Sequence, residues 1–202
     1  MRAEINLYNE DCLQAMKAMQ DKQFDLAIVD PPYRDENQPT KDMRASGQMK
    51  TIQGRPTKEY WDELLRVSKH QIIWGANNFE LPQFKGFFVW DKGIPFDFTM
   101  SMAEIAALSE ELGTISKIYK LRVAGAEDRI HPTQKPVKLY KKLLDTYAKA
   151  DWKILDTHLG SGSIAVACWD LKYDLTAYEI DEGYYNEACK RFDLHSRQMA
   201  LW

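Results

Sequence analysis

Leu26 to Val29, in the stretch FDLAIVDPPY, form an unbroken apolar run of strand length. A strand with one face in water alternates apolar and polar residues, whereas an unbroken run is covered on both faces. HQIIWGA and GFFVWDK read as two more buried strands, and EINLYNE, MAEIAALS, ISKIYKL, WKILDT and DLTAYEID also read as strands. Helical patterns lie between them. CLQAMKAMQD carries Leu13, Met16 and Met19 at helical spacing, and Thr57 caps KEYWDELLRV. VKLYKKLLDTYAKA puts Leu139, Leu143, Leu144 and Tyr147 on one face, and GSIAVACWDLK and EGYYNEACKRFD complete the set. Strands alternate with helices at both ends of the chain, which predicts an α/β fold with a mainly parallel sheet and helices on both faces. There is no internal repeat and no clear linker, so residues 1–202 read as one domain. Trp74 and Trp90, at strand ends, are expected in the core, and Asp25 at a solvated strand start.

A chain of 202 residues can bury a substantial core. No apolar run is long enough to span a bilayer, and MRAEINLYNE lacks the apolar centre of a signal peptide, so a cytoplasmic location is expected. Cys12, Cys168 and Cys189 are few and widely spaced, which suits a reducing compartment without disulfides. His70, His131, His158 and His195 are scattered without ligand spacing, and no metal site is expected. The formal net charge of −3 argues against bulk attraction to nucleic acid, although 41–55 and 117–142 are locally basic. Residues 34–56 are polar, rich in Gly, Pro, Ser, Thr and Gln, and longer than an ordinary connection. They are expected to be either disordered or a mobile lid that touches the substrate.

The apolar run ends in Asp30-Pro31-Pro32-Tyr33. Proline fixes φ, lacks an N–H and pushes the preceding residue toward extended geometry, so the chain stops pairing at Asp30 and turns. A second informative stretch runs ILDTHLGSGSIAVACWDLKYDLTAYEID, from Ile154 to Asp181. There a strand ends at Asp156, a loop holds Gly160 and Gly162, and a helix follows at once. Such a loop lets backbone approach a ligand, and the next strand ends at Glu179, where an acid can accept ribose hydroxyls. The pattern departs from G-x-G-x-x-G, and Asp156 would disfavour a pyrophosphate. It suits a ligand with a cationic end, such as S-adenosylmethionine.

Together these residues resemble an S-adenosylmethionine-dependent amino-methyltransferase acting on DNA. In that family D-P-P-Y marks the target-base pocket, and an acid followed by G-x-G after a strand holds the cofactor. The order here, D-P-P-Y first and the glycine loop late, resembles the permuted β class. HPTQKP, from His131 to Pro136, resembles the segment that closes over the methionine part of the cofactor. Asn9-Glu10-Asp11 is similar to the turn that meets its adenine. The resemblance covers Ile5 to Phe192. It departs at Thr157-His158, where family members more often have Pro-Phe, and in its short recognition region. A compact, solitary enzyme of the kind phages carry is therefore implied, on a Rossmann-like fold with a seven-stranded sheet.

The resemblance implies roles for single residues. Asp30 and the Pro31 carbonyl accept the two amine hydrogens of the target base, Pro32 stiffens the turn, and Tyr33 stacks on the flipped base. Asp156 meets the methionine amino group, Gly160, Ser161 and Gly162 admit the cofactor, and Glu179 holds its ribose. Asp11, with Cys12 nearby, meets the adenine. Thr133 and Lys135 engage the carboxylate, although Lys135 also reads as a surface charge. His158 either lines the cofactor site or fills its loop. Adenine N6 is favoured over cytosine N4 because Asp, not Ser, leads the motif. A non-catalytic DNA-binding relative and an NAD-dependent oxidoreductase are the competing classes, and both a monomer and a homodimer stay open.

Overall fold

The computed structural model describes residues 3–33, 36–37, 52–99, 101–122, 130–131 and 133–199. The strands are β1 (Ile5–Tyr8), β2 (Phe24–Val29), β3 (Glu36–Asn37), β4 (Ile52–Gln53), β5 (Ser68–Trp74), β6 (Gly86–Asp91), β7 (Ala103–Leu108), β8 (Lys117–Lys120), β9 (Lys153–Asp156) and β10 (Asp174–Tyr178). The helices are α1 (Cys12–Lys17), α2 (Lys58–Val67), α3 (Val137–Tyr147), α4 (Ser163–Leu171) and α5 (Glu182–Met199).

Eight strands form one sheet in the order β1-β10-β9-β2-β5-β7-β6-β8, and β3 pairs with β4 as a separate antiparallel ribbon. The sheet thus has eight strands, one more than the seven the resemblance implied, because each of the eight runs picked out in the sequence joins it. Only β7 runs against its neighbours β5 and β6; the remaining pairs are parallel. Most of the expected lid, 34–35 and 38–51, lies outside the described residues. No helix among the described residues is long and apolar enough to cross a membrane.

The two faces of the sheet carry separate cores. Leu26 and Ile28 of β2 pack with Ile72, Trp74, Trp90 and the buried faces of α3 and α4. Ala27 and Val29, one residue out of phase, pack on the other side with Met16 of α1 and with Tyr60, Trp61, Leu64 and Val67 of α2. This alternation is the period of a strand, and the apolar run is unbroken because both faces have helices to cover them. In α2 the 3- and 4-residue spacing of the buried set makes one apolar stripe, and Thr57 starts the helix by accepting the Tyr60 N–H at 3.3 Å. Each large apolar side chain buried in that stripe contributes about 1.5–3 kcal/mol, more than intrinsic helix propensity supplies. The helix expected over CLQAMKAMQD is shorter, ending at Lys17, whereas the last helix continues past the expected Asp193 to Met199.

β2 and β9 are parallel neighbours, with Leu26 opposite Ile154 and Ala27 opposite Leu155. The helix after β9, α4, lies on one face of the sheet, and the helix after β2, α2, on the other. A crevice therefore opens beyond the C-terminal ends of these two strands, the place where α/β sheets bind ligands. Both motifs of the sequence end there.

Candidate active site

A cavity of about 600 Å³ occupies that crevice, within the range of about 300–1,000 Å³ usual for small-molecule sites. Asp30, Pro31, Pro32 and Tyr33 form one wall. Asp11, Cys12 and Glu179 lie on another, with Thr133 and Lys135 and with His158, Gly160 and Ser161 completing it. Residues up to 168 positions apart thus meet because β1, β10, β9 and β2 are adjacent and end at one edge.

The Asp30 carboxylate is engaged on both oxygens. The Tyr33 hydroxyl donates to Oδ1 at 2.7 Å, and Lys135 Nζ donates to Oδ2. Burial, reinforced by the charges of Asp30 and Glu104, keeps the Tyr33 phenol far above its ordinary range, so it remains a donor. The Tyr33 ring lies edge-on to Phe79 at 6.1 Å and directly over Gly75. A Cβ at Gly75 would sit 2.2 Å from Tyr33 Cε1, and its φ of +65° is one that side chains resist. Gly75 is therefore the seat of the Tyr33 ring. Aromatic contacts continue from Phe79 through Trp61 and Tyr60 to His158, at 5.0, 4.8 and 5.6 Å. Tyr33, Tyr60 and His158 thus border the cavity as an aromatic wall, with Phe79 and Trp61 packed behind it.

Lys135 is not a surface charge. It is 3 % exposed, its Nζ is 5.0 Å from the Trp74 ring, and it bridges Asp30 and Glu104. Burial alone would lower its pKa, but the two carboxylates raise it and hold it ionised. Burial pushes Glu104 up, yet Lys135 and Lys92 outweigh it and hold the carboxyl at about 2.

At the other end, Asp11 caps α1 by accepting the Leu13 N–H at 2.8 Å, and Asn9 donates to the Glu179 carbonyl at 2.7 Å, tying the ends of β1 and β10 together. Glu179 accepts the N–H groups of Gly160 at 2.9 Å and Asp181 at 3.0 Å, which fixes its orientation at the cavity. Burial pushes the Cys12 thiol up to about 12, so it is a neutral wall and no nucleophile. His158 shares a hydrogen bond with Thr157, which shares another with Tyr60, and burial holds its pKa at about 4. His131 is likewise held at about 4, by burial and then by Lys135, and packs on Tyr184 at 4.4 Å. It also bonds Thr133 Oγ1 at 3.1 Å.

Two expected cofactor residues do not line the cavity. Asp156 is 2 % exposed and lies beneath the loop, accepting the His158 N–H at 3.0 Å. Burial, with Asp30 and Glu179 adding to it, raises its pKa to about 8. Gly162, with φ of +71°, starts α4 and faces α5, where a Cβ would meet Ala188 Cβ at 3.2 Å. Its need for glycine comes from that left-handed φ, to which the close approach of α5 adds.

Sequence reasoning passed over Gly75, Glu104 and the Tyr60–Thr157 pair. A charged residue inside the apolar run MAEIAALS was the available signal for Glu104. Gly75 and Thr157 carried none, since their partners are distant in the chain.

A family model described as DNA methylase, of the N6/N4 type, matches residues 9–190. The Type II methyltransferase M.HindIII of Haemophilus influenzae is 34% identical over 79 residues, a match spanning 39% of this chain and 26% of that protein. Among solved structures, the M1.HpyAVI–SAM complex superposes with a TM-score of 0.63 at 19% identity, covering 94% of this chain and 99% of that one. PvuII DNA methyltransferase (cytosine-N4-specific) gives 0.65 at 12% identity, with 98% and 93% covered. These two likenesses establish the fold as that of the Rossmann-like methyltransferases. The family match runs from the Asn9 turn through the Asp30 corner and the glycine loop into α5, and by it this chain belongs to the N6/N4 DNA methylase family.

Proposed function

We propose that residues 1–202 form one methyltransferase domain that transfers a methyl group from S-adenosylmethionine to the exocyclic N6 of adenine in DNA. The observation that carries the reading is that the Asp30–Tyr33 corner and the Asp11, Glu179 and Gly160 cluster line one cavity.

The residues fit the cofactor. Asp156 is a buried carboxyl with no ion pair among the described residues, raised to about 8, and a cationic group nearby would relieve that cost. Asp11, Glu179 and the cavity's volume suit a nucleoside with hydroxyls and an amino group. When bound, the cofactor supplies an electrophilic methyl carbon; everything else falls to the chain. Thr133 and Lys135 border the same space, with Lys135 committed to Asp30.

An exocyclic amine is a poor nucleophile, because its lone pair is delocalised into the ring. Asp30 accepts one amine hydrogen and the Pro31 carbonyl the other, at an angle that Pro32 restrains. With both hydrogens held, the nitrogen becomes more tetrahedral and its lone pair is aimed. Such bonds strengthen as positive charge develops, and a pair of them is worth a few kcal/mol, comparable to an oxyanion-hole donor at about 3–4. The Tyr33 ring, seated on Gly75 and braced by Phe79, offers the stacking surface a flipped base needs. Burial along the aromatic wall keeps water out, and alignment of the reactants supplies the rest of the acceleration.

The test is incubation with DNA and S-adenosylmethionine, digestion to nucleosides and mass spectrometry. N6-methyladenine is the expected product. N4-methylcytosine alone would refute adenine as the target, and no methylated base would refute the activity.

A further inference from the structure

Behind the corner, four buried or half-buried charges stand in line: Asp30, Lys135, Glu104 and Lys92. Lys135 Nζ lies 3.0 Å from Glu104 Oε2, and Lys92 Nζ lies 2.5 Å from Glu104 Oε1. The first contact is an ion pair. Lys135 also donates a hydrogen bond to Asp30 Oδ2, so one ammonium serves both carboxylates. Exposure of these side chains falls from 22 % at Glu104 and 13 % at Lys92 to 2 % at Lys135. Two ammonium groups and two carboxylates balance, so the line is neutral as a whole. Glu104 and Lys92 do not line the cavity.

We propose that Glu104, anchored by Lys92, is a positioning residue that shares the Lys135 ammonium and so leaves Asp30 ionised but only partly neutralised. This rests on the methyl-transfer reading above. Burial, with Glu104 adding to it, raises the Asp30 carboxyl above its ordinary range even against the pull of Lys135; without Lys135 it would take up a proton and lose its capacity as an acceptor. With Lys135 bound to it alone, its charge would be spent on the ammonium, and the incoming amine would meet a weak acceptor. Glu104 sets the balance between these extremes, and Lys92, paired with it, moderates the repulsion that Glu104 exerts on Asp30. The groups that face Asp30 are Tyr33 from its own corner, Lys135 from the segment before α3, Tyr140 from α3, Glu104 from β7 and Asp156 from β9. Of the five, Glu104 alone can be altered without changing the cavity wall or the glycine-loop acid.

The charge variants Glu104→Gln and Lys92→Met test this with opposite signs. Removing Glu104's charge strips Asp30 of a repulsion, so the acid limb of the kcat–pH profile moves to lower pH by about half a unit or more. Turnover also falls about tenfold as Asp30 becomes the poorer acceptor, with the KM for S-adenosylmethionine little changed. Removing Lys92 leaves Glu104 uncompensated, and the limb moves to higher pH. A contact that matters only for stability would depress both variants without opposed shifts. Carboxyl NMR titration of Asp30 in the free protein reads the same two displacements without any substrate. Opposed displacements support the assignment; absent or like-signed ones overturn it. If Glu104→Gln does not fold, the sign for Lys92→Met decides. An inactive parent chain with opposed NMR displacements would sink the methyl-transfer reading and leave the charge relay standing.

Discussion

Asp30 sits where three demands meet: it ends a strand, pairs with a buried lysine and faces the cavity. Asp30→Ala should therefore cost twice. Loss of the acceptor is expected to reduce single-turnover methyl incorporation by about a thousandfold, while calorimetric affinity for S-adenosylmethionine stays close to the parent's. It also leaves Lys135 with Glu104 as its only carboxylate partner among those described, and breaking a buried pair costs about 3–5 kcal/mol, visible as a lower Tm. Parent-like turnover in that variant would rule out the acceptor role. Gly75→Ala alters a residue with no chemistry of its own. The added methyl must displace the Tyr33 ring and the backbone must hold φ of +65°. A loss of at least about tenfold in transfer, with the Tyr33 ring moved in a crystal structure of the variant, is expected. Unchanged activity would mean that the ring is not the base platform.

Among the elements, α2 links sequence signals to the site most directly. Thr57 begins it, its apolar stripe covers β2, and Tyr60 within it bonds Thr157 at 2.6 Å next to the glycine loop. Thr57→Ala removes the cap and should cost about 1 kcal/mol, or about 2–4 °C in Tm for a chain of this size, with Thr57→Ser restoring most of it. A Tm equal to the parent's would show that the cap is satisfied by other means. The strand pair β2–β9 has the opposite character. Each strand was legible from its own residues, but nothing local says that they are neighbours or that the helices after them lie on opposite faces. That adjacency creates the crevice.

For the molecule as a whole, stability should depend on pH in a defined direction. Asp156, with an unfolded value near 3.8 and a folded value of about 8, favours the folded state while protonated. Its contribution is full below about 3.8 and is lost as pH rises through about 8. His131 and His158, depressed from 6.5 to about 4, act on the other side, and stability falls as pH drops from about 6.5 toward 4. Thermal melts of Asp156→Asn should flatten the alkaline loss and leave the acid one; an unaltered alkaline limb would assign that loss elsewhere. Since a cationic ligand favours ionised Asp156, binding of S-adenosylmethionine at pH 7 should release a proton, and binding at pH 9.5 should not. Calorimetry in buffers of different ionisation enthalpy reads this, and equal enthalpies at pH 7 would contradict it. From its residues alone this chain determined the eight strands of the main sheet and its helices, though not the β3–β4 ribbon, and that acids and glycines stand at strand ends, because hydrophobic period and proline and glycine stereochemistry act within a few residues. Tertiary structure decided that Lys135 turns inward to Asp30, that Gly75 seats Tyr33, that Gly162 faces α5 and not the cavity, and that Asp156 is sunk below its loop. Those outcomes depend on which strands lie side by side and how deeply each charge is buried, quantities set by contacts between residues far apart in the chain.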